Sequence, residues 1–390
     1  MVVSGVTLIP SAPRIWPALG LLLLLVALGL ASAWTMETQG HHITGMTNRI
    51  VWGLPHVCAI FLILTASGAL NVASVASVFG RSDYKPLAPL SALLAIALLT
   101  GGLAVLVLDL GRPDRLLVAM LHQNPFSIFA WNVLLYSGFI AVAGVYLWTM
   151  LVRRQNRHTA AAGVVALVWR LVLTTGTGSI FGFLAGRAAF HSAMMAPLFV
   201  AASLADGLAV FMLVLAGLAA FGGPVPDTAL RRRLGRLLGI LTAASLYFAL
   251  VLHLTWLYAP DSRAVSGFLL LHGGVFPVLF WGGQVVLGTA VPLWLLFRCA
   301  GREVLAASLV ALGGLEQLGV LLIGGQAVPQ SLLPGWELHS AFGDGSAAAY
   351  APSLPEALLG VGGFALALLL VLLGCRLLRI LPARLSEVSA

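Results

Sequence analysis

Long stretches of apolar residues, each about as long as a bilayer is thick, dominate the chain. A membrane-spanning helix needs about 20 mostly apolar residues, and ten stretches of the 390-residue chain reach this length. Uninterrupted apolar runs such as residues 21–30 do not fit the alternating pattern of a membrane β-barrel, the other architecture that spans a bilayer. The pattern predicts an all-α integral membrane protein, with about ten transmembrane helices in a polytopic bundle that forms a single domain over residues 1–390. The predicted spans are residues 15–36, 51–79, 87–108, 127–151, 161–185, 193–221, 234–259, 268–297, 304–323 and 357–378.

The first of these stretches has two interpretations. Arg14 precedes an apolar run that ends in Ala31-Ser32-Ala33, and small residues with this spacing also mark the cleavage site of a secretory signal peptide. The apolar core of a signal peptide has about 7–15 residues, whereas this run continues from residue 15 to residue 36. We therefore expect the run to be retained as a transmembrane helix.

Basic residues are distributed unevenly between the two sides of the predicted bundle. Fifteen of the 21 Lys and Arg residues lie before the first span, after the last span, or in connections that follow even-numbered spans. Cytoplasmic loops carry an excess of Lys and Arg, so this side is predicted to be cytoplasmic, together with both termini. The formal net charge of +8 is explained by these topology signals, and we do not expect nucleic acid as a partner.

The composition excludes a soluble domain, because a chain that is 60% hydrophobic and 9% charged cannot cover a water-facing surface. The cysteines at positions 58, 299 and 375 are too far apart for the motifs that hold an iron–sulfur cluster, a c-type haem or a structural zinc ion. His56 and His253 are the histidine pair to consider for a b-type haem, but glycine, which makes room for haem, is missing around His253. The chain is predicted to hold no haem, no iron–sulfur cluster and no metal ion of its own.

Ionisable residues inside the predicted spans are candidates for function, because burying a charge in hydrocarbon costs several kcal/mol unless it is paired or hydrated. A proton pathway and a buried ion pair that fixes helix packing are both open interpretations of these residues. The candidates for a proton pathway are Arg170, Asp206 and Glu316. The neutral polar residues of the spans, for which interhelical packing is the favoured role, are Asn71, Asn132 and Gln284.

A second group of polar residues lies at the predicted outer surface. The third span ends in residues 108–115, Leu-Asp-Leu-Gly-Arg-Pro-Asp-Arg, and its glycine and proline stop the helix. The second span enters from the same face with Trp52 and, one turn deeper, His56. The acids and arginines of residues 108–115 either neutralise one another or, with His56, meet a ligand at the level of the lipid head groups.

The chain resembles the NrfD/polysulfide-reductase family of membrane subunits over about residues 48–380. The segments that carry the resemblance are residues 52–71, 77–80, 85–94, 108–115, 127–133, 178–182 and 355–364. Within this family the chain is most similar to the DsrP branch, the quinone-interacting membrane subunits of the DsrMKJOP sulfur-metabolism complex. The Asp-Leu-Gly-Arg-Pro element at a helix end is the most specific of these motifs.

The resemblance implies a function that composition does not show. Members of the family have no redox cofactor of their own, and they exchange electrons between a membrane quinone and a ferredoxin-like iron–sulfur subunit outside the membrane. In the polysulfide reductase relative, a histidine and an asparagine early in a span line the quinone pocket. His56 corresponds to this histidine, whereas Gly53 occupies the position three residues before it, so the asparagine is not matched.

We therefore predict a quinone-interacting subunit of a respiratory or sulfur-metabolism complex in the bacterial inner membrane. Its partners are expected to be a periplasmic iron–sulfur subunit, other complex subunits and membrane lipid. The quinone is menaquinone or ubiquinone. His56 and Asp109 are the predicted catalytic residues, and Trp52, His56, Asp109 and Arg112 are predicted to bind the quinone. A secondary transporter or a passive anchor of a redox complex remains the alternative, since buried ionisable residues also occur in transporters.

Overall fold

Ten long apolar helices form the fold, in a computed structural model that describes residues 6–7, 13–330 and 345–382. Within these ranges the ten helices are long and apolar enough to cross a membrane, which confirms the predicted all-α polytopic architecture. The helices are α1 (Ile15–Gln39), α2 (Leu54–Ser77), α3 (Asp83–Leu108), α4 (Ile128–Leu151), α5 (Arg153–Gly182), α6 (Met195–Ala220), α7 (Thr228–Tyr258), α8 (Phe276–Arg298), α9 (Glu303–Ala327) and α10 (Leu354–Leu377).

The prediction of a continuous helix over residues 268–297 was wrong at its start. A short helix over Arg263–Gly267 continues as a wider π turn over Phe268–His272 and then stops. Gly274 has a φ of 65°, a backbone conformation that residues with a Cβ disfavour, and α8 begins only at Phe276. The apolar run is therefore two segments joined by a glycine turn, which hydropathy alone does not distinguish.

The helix α2 lies at the centre of the bundle, and nearly all of its residues are buried. It packs against α3, α6 and α10. Where it crosses α6, a Cβ at Gly68 would come within 2.9 Å of the Cα of Gly207. Lipid supplies no hydrophobic driving force between helices, so small residues that let two backbones approach stabilise such crossings through van der Waals contacts. This crossing fixes the depth of α2 and of its N-terminal turn.

The helix α1 lies at the periphery of the bundle and packs mainly against α10. A Cβ at Gly29 would come within 2.9 Å of the Cα of Gly362, so the two helices cross closely at this pair. The helix continues without interruption through residues 31–33, the position of the small residues that also resemble a cleavage site.

Asn132 links α4 to α5, the packing role expected for the neutral polar residues of the spans. Its Nδ2 donates a hydrogen bond to the carbonyl oxygen of Gly176 at 3.1 Å. The hydroxyl of Thr177 donates to its Oδ1 at 3.4 Å. A polar side chain in a span is thus satisfied by the neighbouring helix rather than by water.

The two ends of the described chain meet on one side of the bundle. Val6–Thr7 pairs with Leu381–Pro382 as a short antiparallel bridge, before α1 and after α10. This agrees with an even number of membrane crossings, which returns the chain to its starting side. The assignment of this side to the cytoplasm stays a prediction from the distribution of arginine.

The orientation of the bundle is testable by labelling single cysteines in intact cells. Val225, which is 66% exposed, lies between α6 and α7 on the predicted cytoplasmic side, and Asp261 lies in the exposed turn that follows α7. In a background with Cys299→Ser, we expect a membrane-impermeant maleimide to label Asp261→Cys but not Val225→Cys. Both variants should be labelled after lysis, which is the control. The reverse pattern in intact cells would invert the topology.

Candidate functional site

The N-terminus of α2 brings Trp52 and His56 to one end of the bundle. Gly53 precedes the helix in an extended conformation, and Pro55 stands in its first turn, where a missing N–H group costs no hydrogen bond. His56 follows within the same turn, and 15% of its side chain is exposed. The imidazole is therefore next to the end of the helix rather than deep in the bundle.

His56 and Asp109 form a hydrogen-bonded pair. The Nδ1 atom of His56 lies 2.7 Å from Oδ2 of Asp109, and the carboxyl side chain is completely buried. The other oxygen of Asp109, Oδ1, is buried without a hydrogen-bond partner among the described residues. A carboxylate in this position accepts a hydrogen bond from Nδ1–H and so fixes the tautomer and the orientation of the imidazole. The structure thus brings together the two residues predicted to be catalytic.

The Asp-Leu-Gly-Arg-Pro element explains why Asp109 points at α2. The helix α3 ends at Leu108, and Gly111 has a φ of 68°, which favours glycine. A Cβ at Gly111 would come within 3.2 Å of Nε2 of His41, so glycine also makes room for this neighbouring ring. Pro113 begins the next turn. The chain therefore leaves the helix abruptly and leaves the carboxyl group of Asp109 facing His56.

Trp52 belongs to a cluster of aromatic rings beside His56. Its ring centroid lies 6.2 Å from that of His56, 5.4 Å from that of Phe181 and 5.8 Å from that of Phe190. Phe181 is the last residue but one of α5, and Phe190 lies in the loop that follows this helix. These rings form an aromatic wall on one side of the imidazole. The two phenylalanines were not predicted, since neither their spacing nor their type marks them in an apolar sequence.

Arg112 pairs with its neighbour Asp114, and its role in binding the quinone stays a prediction. Its guanidinium forms two hydrogen bonds with the carboxylate of Asp114, at 2.9 and 3.0 Å, and both side chains are largely exposed. The hydrogen bonds raise the pKa of Arg112 and lower that of Asp114. The Arg112–Asp114 pair agrees with one of the two alternatives predicted for residues 108–115, in which the acids and arginines neutralise one another.

Tyr350 and Glu356, which the sequence did not indicate, tie the start of α2 to the start of α10. The hydroxyl of Tyr350 accepts a hydrogen bond from the N–H of Leu54 at 2.6 Å and donates to Oε1 of Glu356 at 2.8 Å. Burial is the main cause that raises the pKa of Tyr350, and the neighbouring Glu356 and Asp109 raise it further. The phenol therefore stays protonated and keeps its place as a donor.

Glu356 is completely buried and accepts hydrogen bonds from three donors. Besides Tyr350, the N–H groups of Gly45 and Ser353 donate to Oε2 at 2.8 and 2.7 Å. The hydroxyl of Ser353 in turn caps α10 by accepting from the N–H of Glu356, which is a capping box. A Cβ at Gly53 would come within about 2.7 Å of the Tyr350 hydroxyl, so glycine at this position makes room for the network.

Asp206 lines a small polar cavity among α6, α7, α8 and α9, far along the chain from His56. The cavity has a volume of about 20 Å³, enough for one water molecule. Asp206 is 3% exposed and has no hydrogen-bond partner within the described part of the chain. The other polar residues of the cavity lining are Thr242, Ser245, Gln284, Thr289 and Gln317. Gln284, which was expected to serve packing, thus faces this cavity.

The three residues predicted as a proton pathway do not form a continuous chain. The carboxyl group of Glu316 packs against Gly283 on α8 and lies outside the lining of the Asp206 cavity. Arg170 is buried, and its Nε and Nη1 atoms have no partner among residues 13–330 and 345–382. The expected buried pair between an arginine and an acid is therefore not formed by Arg170 within these ranges.

His253 lies in a different cluster from His56. Its ring packs against Trp256 and Phe280, with centroids 5.2 and 4.7 Å apart, and its Nδ1 lies 3.3 Å from the hydroxyl of Ser266. The two histidines considered as a haem pair therefore have separate surroundings. Across the described ranges, no three His, Cys, Asp or Glu side chains form a group that would hold a metal ion.

Comparison with known proteins identifies relatives that cover most of the sequence. The family model described as polysulphide reductase, NrfD, matches residues 42–330. An Hdr-like menaquinol oxidoreductase integral membrane subunit of Archaeoglobus fulgidus is 29% identical over 88% of this sequence and 89% of its own. A putative dimethyl sulfoxide reductase membrane subunit of Halobacterium salinarum is 29% identical over 92% and 90%. A polysulfide reductase polypeptide of Wolinella succinogenes is 24% identical over 63% and 83%.

The network around Glu356 should be essential for stability. Glu356→Ala leaves three buried donors without an acceptor, so we expect it to lower the free energy of unfolding by about 3 kcal/mol or more. Tyr350→Phe removes one link and should have a smaller effect in the same direction. Thermal unfolding in detergent measures both, with Glu37→Ala at an exposed position as the control. Unfolding of Glu356→Ala at the wild-type temperature would contradict this role.

Proposed function

Because the chain belongs to the polysulphide reductase NrfD family, we propose that it is the quinone-binding membrane subunit of a redox complex. The observation that carries this proposal is the pair of His56 and Asp109 beside the aromatic wall of Trp52, at one end of the bundle. A quinone head group is a flat apolar ring with two polar oxygens. It needs aromatic contacts for the ring and a proton-exchanging group for an oxygen, and this site supplies both.

The chemistry of the site is proton exchange coupled to electron transfer. Oxidation of a quinol to a quinone releases two electrons and two protons. The imidazole of His56 accepts a proton from a quinol hydroxyl, since histidine serves as both acceptor and donor in general acid–base catalysis. The carboxylate of Asp109 stabilises the imidazolium through Nδ1, which leaves Nε2 as the proton-exchanging atom. In the reverse direction the imidazolium donates the proton to a quinone carbonyl.

The electrons pass to or from a partner subunit outside the membrane. The cysteines of this chain do not have the spacing that holds an iron–sulfur cluster, so a partner with ferredoxin-like clusters supplies the one-electron carriers. The relatives named above are membrane subunits of reductases and oxidoreductases, which supports an assembly of this kind. We place the chain in the bacterial cytoplasmic membrane, with the DsrP branch as its assignment within the family.

Asp206 is proposed to carry protons between the bundle interior and the cytoplasm. Its carboxyl group lines a cavity with hydroxyl and amide groups, and a mid-membrane carboxyl group next to water is a typical element of a proton path. Glu316 and Arg170 are proposed as further members of this path, because both are ionisable residues inside the spans. A transporter would also have such a cavity, but the His56–Asp109 pair favours quinone chemistry over transport of a solute.

His56 should be the position most sensitive to substitution. His56→Ala removes the proton acceptor, and general acid–base groups contribute about 10²–10⁴-fold to a rate, so we expect quinol-dependent reduction of the iron–sulfur partner to fall by this factor. His56→Gln keeps a hydrogen bond but carries no proton, so it should bind quinone and turn over slowly.

The assay uses membranes with matched levels of the complex. His122→Gln, at an exposed histidine on the same side of the bundle, is the matched control and should keep wild-type activity. Activity of His56→Ala within about twofold of wild type would remove His56 from the site.

Asp206→Asn should separate electron transfer from charge movement. The amide keeps the shape of the carboxyl group but carries no proton, so we expect proteoliposomes to oxidise quinol without generating the wild-type membrane potential. Glu316→Gln should reduce the potential in the same assay. Glu303→Gln changes a carboxyl group of α9 outside the cavity lining and should leave the potential unchanged. Full potential in both Asp206→Asn and Glu316→Gln would mean that these acids serve packing alone.

A further inference from the structure

The backbone just before α2 is held by a side chain from the end of α9. Gln326 is 2% exposed, and its Oε1 accepts hydrogen bonds from the N–H groups of Val51 and Trp52 at 2.9 and 3.1 Å. Its Nε2 donates to the carbonyl oxygens of Trp52 and Leu322 at 3.0 and 2.9 Å. Two donor hydrogens and two acceptor sites are the full capacity of an amide side chain, so Gln326 is completely satisfied.

Three of these four hydrogen bonds hold two consecutive residues. Trp52 lies outside α2, which begins at Leu54, so its buried backbone groups gain no partner from the helix. The amide of Gln326 binds both the N–H and the carbonyl group of Trp52, much as a neighbouring strand would. The backbone of Trp52 is thereby fixed relative to α9, and its ring is fixed relative to His56.

Arg187 supports this arrangement from the loop after α5. Its Nη1 donates to the carbonyl oxygen of Gln326 at 2.8 Å, and its Nη2 donates to that of Arg49 at 2.6 Å. One guanidinium therefore bridges the end of α9 and the segment that leads into α2. Arg187 thus holds Gln326 on one side and, on the other, the segment that leads to Trp52.

We propose that Gln326 is a positioning residue of the quinone site, which sets the place of Trp52 as the wall of the pocket. The inference rests on the proposed function, because it assigns a residue to that same site. The hydrogen bonds of Gln326 go to Val51, Trp52 and Leu322 and not to the His56–Asp109 pair, so we expect its loss to displace the wall and to leave the proton-exchanging pair intact. Its effect therefore falls on the affinity for the quinol head group rather than on proton transfer.

The test compares the kinetics of Gln326→Met with those of His56→Gln. Methionine keeps the volume of glutamine and removes all four hydrogen bonds. We expect KM for a soluble quinol analogue to rise about tenfold, the factor that one or two net hydrogen bonds supply, while kcat and its pH profile stay near wild type. His56→Gln should show the opposite split. Gln39→Met, at an exposed glutamine at the end of α1, is the matched control and should change neither constant.

Hydrogen exchange of the Val51 and Trp52 amides gives a readout that does not depend on turnover. We expect faster exchange at these two positions in Gln326→Met and unchanged exchange elsewhere in α2. If this variant does not assemble, Arg187→Gln loosens the same segment from outside the membrane and should raise KM in the same direction. Unchanged KM in a variant whose Val51 and Trp52 amides exchange faster would overturn the positioning role. Wild-type exchange in Gln326→Met would overturn it as well.

The same data separate this inference from the proposed function. A wild-type complex that neither binds nor oxidises quinol would refute both, even with the exchange difference present. Normal quinol kinetics in the wild type that are unaltered in Gln326→Met would refute the positioning role alone.

Discussion

The absence of water from the hydrocarbon core governs how this site is built. Every polar group that enters the core needs a partner within the protein, and the start of a helix exposes N–H groups that the helix itself does not satisfy. At the start of α2 the partners are buried side chains from distant parts of the chain. Gln326 binds Val51 and Trp52, and Tyr350 binds Leu54. The same hydrogen bonds that make burial possible fix the residues next to His56.

The His56–Asp109 pair at the end of the bundle gains its precise geometry from this arrangement. The close crossing of α2 and α6 at Gly68 and Gly207 sets the depth of the helix, and the hydrogen bonds at its end set the direction of the entering chain. The abrupt turn after α3 places Asp109 against His56. The helix crossing, the hydrogen bonds at the end of α2 and the turn after α3 thus each constrain the position of the His56 imidazole. The completely buried carboxyl side chain of Asp109 is held within this rigid frame, where its attraction for a protonated imidazole is strong.

Much of the fold was predictable from the sequence, because a spanning helix is encoded locally in about 20 consecutive apolar residues. The glycine turn before α8 was missed because an apolar run remains apolar whether or not its backbone is helical. His56 and Asp109 were predicted from a family motif and the helix ends around them. Arg112 was predicted at the same site, and its pairing with Asp114 two residues away matches the alternative in which these charges neutralise one another. The roles of Gln326, Tyr350 and Glu356 were not predicted, since the contacts that tie them to the segment before α2 and to its start span more than 270 residues.

The helix α9 connects the two polar regions of the molecule. Gly314 and Gln317 border the cavity of Asp206, and Gln326 at the end of the same helix holds Trp52. Between them, Val320–Gly324 forms a wider π turn, a local feature frequently found at functional sites. Energetic coupling between two sites requires a shared element with two arrangements that both sites bias. In this fold α9 is the element shared by the two regions, because its residues border the cavity of Asp206 and its end holds the backbone of Trp52.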